Sequence, residues 1–138
     1  MKKIVFVFVL FSSVLAMAQK NIYESIRFDE YTEDHEILAI VPFIAHLELK
    51  KAVDNDELNV LAEKEGYAVQ NALETYFSKR KKRKKFNVDF QNIMNTNAIL
   101  AQNNINYNNI DTYTTQELCK ILDVDGIISG NLNLNILL

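Results

Sequence analysis

The sequence predicts an α/β fold: a mixed sheet with parallel crossover pairs and helices packed on it, in the order β-α-β-α-α-β. Three observations predict it. Ile37-Leu38-Ala39-Ile40-Val41 is an unbroken apolar run of strand length, the pattern of a strand covered on both faces. From Leu58 to Phe77 apolar residues recur at three- and four-residue spacing, the period of an amphipathic helix. Near the end, Leu132, Leu134 and Ile136 alternate with Asn131, Asn133 and Asn135, the period of a strand with one wet face. Parallel pairs need crossovers about as long as the helical stretches between these strands.

In order along the chain, Lys2 and Lys3 precede an apolar stretch from Ile4 to Leu15 and a small-residue site, Ala16-Met17-Ala18. These are the three parts of a cleavable secretory signal peptide, too short for the ~20 apolar residues that a membrane span needs. Residues 1–18 are thus expected to be removed after Ala18, leaving a soluble chain in the periplasm or outside the cell. No Cys follows Ala18 as a lipid attachment point. Residues 19–35, with scattered aromatics and no period, read as an irregular extension. Residues 36–138 suit a single α/β domain.

The first strand, from Ile37, stops at Pro42-Phe43. Asp54-Asn55-Asp56-Glu57 supplies capping side chains and negative charge for the start of the long helix. Its core stripe is read as Leu58, Leu61, Glu65, Ala68, Ala72 and Tyr76, joined by Val69, Leu73 and Phe77. Gly66 within it implies close packing on a neighbour, since Gly there costs up to about 1 kcal/mol against Ala. Phe86, Val88 and Phe90 alternate with polar residues and predict a half-buried strand near an edge. A short helix is expected over 96–103, in an Asn-rich stretch. Thr114-Thr115-Gln116-Glu117 has capping-box spacing ahead of Leu118, Ile121 and Leu122. After the turn Asp123-Val124-Asp125-Gly126, residues 127–136 are read as one strand. Because that strand runs to the end with no turn signal, the domain is expected to lack carboxy-terminal strands or to need a neighbouring molecule on an open edge.

The chain has 15 Lys and Arg against 18 Asp and Glu. Seven of the basic residues are consecutive, Lys79, Arg80, Lys81, Lys82, Arg83, Lys84 and Lys85, so the remainder is acidic. The run should form an exposed basic knob at the end of the long helix, where cations favour the negative end of the dipole. It is the candidate contact for an anionic partner, whether anionic lipid or an acidic protein, or else a solvated cap. Nucleic acid fits poorly, because no aromatic residues interleave the charges.

Little else points to chemistry. His35 and His46 are the only imidazoles, with no Cys or paired His beside them to complete a ligand set, so no metal is expected. Asp54-x-Asp56 begins like a calcium loop, but Leu58 and Asn59 stand where an oxygen ligand and the turn Gly belong. No nucleophile elbow or phosphate loop is present, and three glycines leave little backbone for one. Glu65, on the apolar side of the long helix, is the one carboxylate placed for a shifted pKa. Cys119, the only cysteine, reads as a small apolar residue beside Leu118 and Leu122, with an intermolecular disulfide as the alternative. No catalytic residues and no cofactor are assigned.

Two segments resemble a known family. The apolar strand closing in Pro42-Phe43, and Leu122-Asp123-Val124-Asp125-Gly126-Ile127-Ile128-Ser129-Gly130-Asn131, are similar to the opening strand and the later helix-to-strand passage of one envelope domain. That domain is shared by the amino-terminal part of TolB, the curli-secretion lipoprotein CsgG and the lipoprotein activators of penicillin-binding proteins. The resemblance implies a non-catalytic envelope module that binds proteins or assembles with copies of itself. This chain lacks the lipidation Cys and some of the family's strands, so anchoring and pore formation are not implied. The expected partners are an envelope protein or a second copy through an open sheet edge. The alternative, from the residues alone, is a periplasmic domain that binds or hydrolyses a small ligand in a cleft at the strand ends.

Overall fold

In the computed structural model, residues 25–49, 54–83 and 87–136 are described. The expected signal peptide, Lys84, Lys85 and Phe86 lie outside them. The chain divides into two units, 1–31 and 32–138. In the first, a single helical turn, α1 (Phe28–Tyr31), falls inside the stretch read as irregular. There Arg27 donates to both Glu30 oxygens at 2.9 Å and stacks over Tyr31.

The second unit is α/β. It runs β1 (Ile37–Ile40), β2 (Ile44–Leu49), α2 (Asn55–Lys82), β3 (Asp89–Phe90), α3 (Ile93–Gln102), a 3-10 turn (Ile110–Thr112), α4 (Thr115–Leu122), β4 (Gly126–Ile128) and β5 (Asn131–Ile136). The strands form a three-stranded sheet, β3-β1-β4, and a two-stranded one, β2-β5; each described pairing is parallel.

The first strand ends before Pro42-Phe43, as expected, and a strand that was not expected, β2, follows it. One reading is corrected. The last segment is not one strand, because Ser129-Gly130 separates β4 from β5. The two pauses lie side by side, since Val41 donates to the Ile128 carbonyl (3.1 Å) and Ile44 to that of Gly130 (3.0 Å). The β2-β5 ribbon therefore prolongs the β1-β4 pair past a shared break. Gly130 is needed at that break, where a Cβ would lie 2.7 Å from the Phe43 ring. Pro42, which has no N–H, costs no ladder bond at a pause.

The period-two pattern of the central strand accounts for its burial on both faces. Ala39 and Val41 join Leu100, Ile105, Ile110, Leu118, Leu122 and Val124 in one cluster, beneath α3 and α4. Leu38 and Ile40 are equally buried, on the alternate face. Farther along, Ala45 of β2 meets Ala62 of α2 and Tyr107.

The core side of α2 is only in part the stripe expected. Ala62, Gly66, Gln70 and Phe77 are buried, whereas Ala68 and Ala72 are exposed. The reason is close approach: the Phe43 carbonyl and the Tyr107 ring lie against Gly66, so small residues occupy the contact. A polar amide, Gln70, then takes the next turn. Glu65 is only half-buried. β3 is confined to two residues at the sheet edge, with Val88 buried just before it. The second helix starts earlier than expected because Asn92 caps it, accepting from Met94 (2.9 Å) and Asn95 (3.4 Å). The Thr114 capping box forms in full. Among the described residues no helix is long and apolar enough to cross a membrane.

Candidate functional site

The sheet's edges are treated unequally. On the β1-β2 side, side chains and short segments cover the backbone groups one after another. Asp89 and Gln91 donate their N–H groups to Glu36 and Leu38 (both 2.8 Å). Gln91 Nε2 reaches the Leu122 carbonyl (2.9 Å), and its Oε1 accepts from the buried Thr96 hydroxyl (2.8 Å). Where β3 ends, Gln70 Nε2 donates to the Ile40 carbonyl (2.7 Å), and Gln70 and Asn97 exchange amide hydrogen bonds of 2.9 and 3.0 Å. Beyond the break, Ala45 donates to the buried Tyr107 hydroxyl (2.8 Å). These polar groups satisfy backbone that a short β3 cannot reach, as buried backbone requires.

The β4-β5 side has no such cover among the described residues. β5 pairs with β2 in the register Ile44↔Asn131, Ala45↔Leu132, His46↔Asn133 and Leu47↔Leu134. In a parallel ladder a residue bonds to the two residues flanking its partner. Ile44 does so with Gly130, which turns the backbone of Gly130, Leu132 and Leu134 towards β2. The N–H and C=O of Asn131, Asn133 and Asn135 therefore point outward. Their side chains are exposed while Leu132 and Leu134 are half-buried, so this strand offers unpaired backbone, three primary amides and no charge.

A cleft of about 210 Å³ lies at the break, where β1 and β4 end, lined among others by Pro42, Ile110, Asp111, Tyr113, Leu118 and Ser129. Its lining includes one carboxylate and no imidazole. The turn that follows α4 is built by two aspartates. Asp123 adopts a left-handed conformation (φ 54°) that ends the helix, and Asp125 Oδ2 accepts from the N–H groups of Ile37 (2.9 Å) and Glu36 (2.8 Å). Those two bonds, Ile37's first, hold the Asp125 carboxyl below the usual aspartate range. Half-buried Cys119 has its thiol pushed up by burial and by the charge of Asp125.

Of the basic run, Lys79 to Lys82 form the last turn of α2 and Arg83 its C-cap. The run is not uniform. Lys81 pairs with Asp89, and Arg80 lies over the Tyr76 ring, 5.9 Å from its centroid. Lys79, Lys82 and Arg83 are exposed at i, i+3 and i+4 spacing, which gathers them on one side of the helix end. The two histidines are not brought together into a ligand set: His35 is half-buried ahead of β1, and His46 is exposed on β2. Among the described residues no three His, Cys, Asp or Glu side chains gather into a metal-binding group.

The edge-capping residues Gln70, Gln91 and Tyr107 escaped the sequence reading. Two glutamines and a tyrosine among polar neighbours carry no periodic signal, and only the open carbonyls and amides beside them reveal their use. Compared with known proteins, the chain matches no family model, and no characterised protein or solved structure is significantly similar to it.

Proposed function

We propose that this protein is an exported, non-catalytic module of the cell envelope that works by protein–protein contact or self-assembly through its β4-β5 edge. The observation that carries this reading is the contrast between the two sides of the sheet. Gln91, Gln70 and Tyr107 close one side, while β5 keeps a row of outward backbone groups. Proteins usually blunt such an edge with Lys, Pro or a bulge, and an unblunted one adds strands from a partner. The leader at residues 1–18 supports delivery outside the cytoplasm, to the periplasm or beyond. The resemblance to the TolB, CsgG and lipoprotein-activator domain supports the class of function. Lys79, Lys82 and Arg83 offer a second, electrostatic contact to an anionic partner.

The alternative is small-ligand binding or hydrolysis in the cleft beside Pro42. It has less to rest on, since Asp111 has no imidazole or second carboxylate beside it in the lining to act as an acid–base pair.

Fractionation of expressing cells, with intact-mass measurement and cross-linking, tests the proposal. The expected product begins at Gln19, is released with the envelope contents and gives adducts that disappear in an Asn133→Pro variant. A full-length protein retained in the cytosol would contradict export, and adducts unchanged by Asn133→Pro would contradict the edge.

A further inference from the structure

The outward groups of β5 have a symmetry that selects one partner. We propose that β5 pairs antiparallel with β5 of a second copy of this chain, about a twofold axis at Asn133. The proposal rests on the self-assembly branch of the reading above and specifies its register.

Three features lead to it. First, only alternate residues can bond outward, and these are Asn131, Asn133 and Asn135. In an antiparallel pair, alternate residues likewise form the hydrogen-bonded positions, each exchanging both N–H···O bonds with the residue opposite. With the axis at Asn133, Asn133 faces Asn133 of the partner subunit and Asn131 faces Asn135 of the partner subunit. Every outward group of the three residues is then paired. A shift of one residue sets Asn against Leu and turns the outward groups out of phase, and a shift of two leaves an Asn of this set without an Asn opposite.

Second, the twofold axis keeps like faces together. The exposed amides of Asn131, Asn133 and Asn135 would form one cross-strand row, and each amide is both donor and acceptor, so it can pair with its own kind. Leu132 and Leu134, half-buried on the other face, would lie beside their counterparts. Like charges set directly opposite would oppose pairing, and β5 carries no charge.

Third, the competing edge is closed. β2 could present Ala45 and Leu47 outward, but the Tyr107 hydroxyl already occupies the Ala45 N–H. Association through β5 alone is isologous and closes at two copies.

Cysteine cross-linking of the purified protein in a Cys119→Ala background tests the register. Asn133→Cys should be oxidised to a disulfide-linked dimer. Asn131→Cys alone should not, whereas an equimolar mixture of Asn131→Cys and Asn135→Cys chains should link to one another. Sedimentation should show a dimer for the unmodified protein and a monomer for Asn133→Pro, which removes an outward donor and leaves the bonds to β2 in place; Asn133→Lys provides a second monomer if the proline variant fails to fold. A monomer at every soluble concentration, open-ended aggregates, or cross-linking of Asn131→Cys as efficient as that of Asn133→Cys would overturn the proposal. If the unmodified protein is monomeric yet still binds another envelope protein through β5, the pairing fails and the broader reading stands.

Discussion

Gln70 is wholly buried and spends its amide on the Ile40 carbonyl and on Asn97. Replacing it by Leu fills the space but strands a backbone carbonyl and a second amide, at about 2 kcal/mol by the usual cost of an unmet buried group. Chemical denaturation of Gln70→Leu should show that loss, and an unchanged midpoint would mean water takes over the bond. Tyr107→Phe deletes only the hydroxyl that meets Ala45, and the same logic gives a loss of about 1 kcal/mol. At Gly66 the sign is the test. Gly→Ala in a helix ordinarily gains about 1 kcal/mol, but here the new Cβ would collide with the Phe43 carbonyl oxygen and the Tyr107 ring. Gly66→Ala should therefore destabilise the fold. Its tight packing was readable from a lone Gly in a helical pattern. The partners were not, because Phe43 and Tyr107 approach from distant parts of the chain.

At the scale of elements, what could be read in advance depended on whether the signal was local. The Thr114 capping box and the apolar run of β1 are signals contained within a few residues, and both stand. The α2 stripe was displaced because the helix packs through Ala62, Gly66 and Gln70, a surface that hydrophobicity does not mark. The resumption of the chain as β2 and the split of β4 from β5 were missed for a different reason: the two breaks support each other across the sheet. The basic run was located by sequence, but its division into engaged and exposed members was not, since Asp89 and Tyr76 come from outside it. Vesicles of equal parts phosphatidylglycerol and phosphatidylcholine test what the exposed members do. Replacing Lys79, Lys82 and Arg83 with Gln should leave the fold intact and abolish a salt-sensitive binding, as screening over ~8 Å at physiological ionic strength implies. Binding that persists at full strength would leave these residues a solubilising role only.

For the whole molecule, the sheet is joined at its start by Asp125, whose carboxylate holds Ile37, the first residue of β1, and Glu36 just before it. Its pKa is lowered in the fold, so its contribution is complete above the unfolded value of about 4 and is lost as pH falls through the lower folded value. Stability should decline on acidification below about pH 4, less steeply in Asp125→Asn; identical profiles would remove Asp125 from the account. At the other end of the sheet the decisive groups are the outward amides of β5. An open edge was expected from the lack of edge-blocking Lys or Pro after Gly126, but which residues would face out could not be read, because that depends on the register with β2. Residue-resolved amide hydrogen exchange across a dilution series tests this most directly. In dilute solution the Leu132 and Leu134 amides should be protected and those of Asn131, Asn133 and Asn135 should exchange freely, the latter three becoming protected as the concentration rises. Protection of all five at every dilution would show that the chain covers its own edge, and free exchange of the three Asn amides at every concentration would show that the edge recruits no second copy.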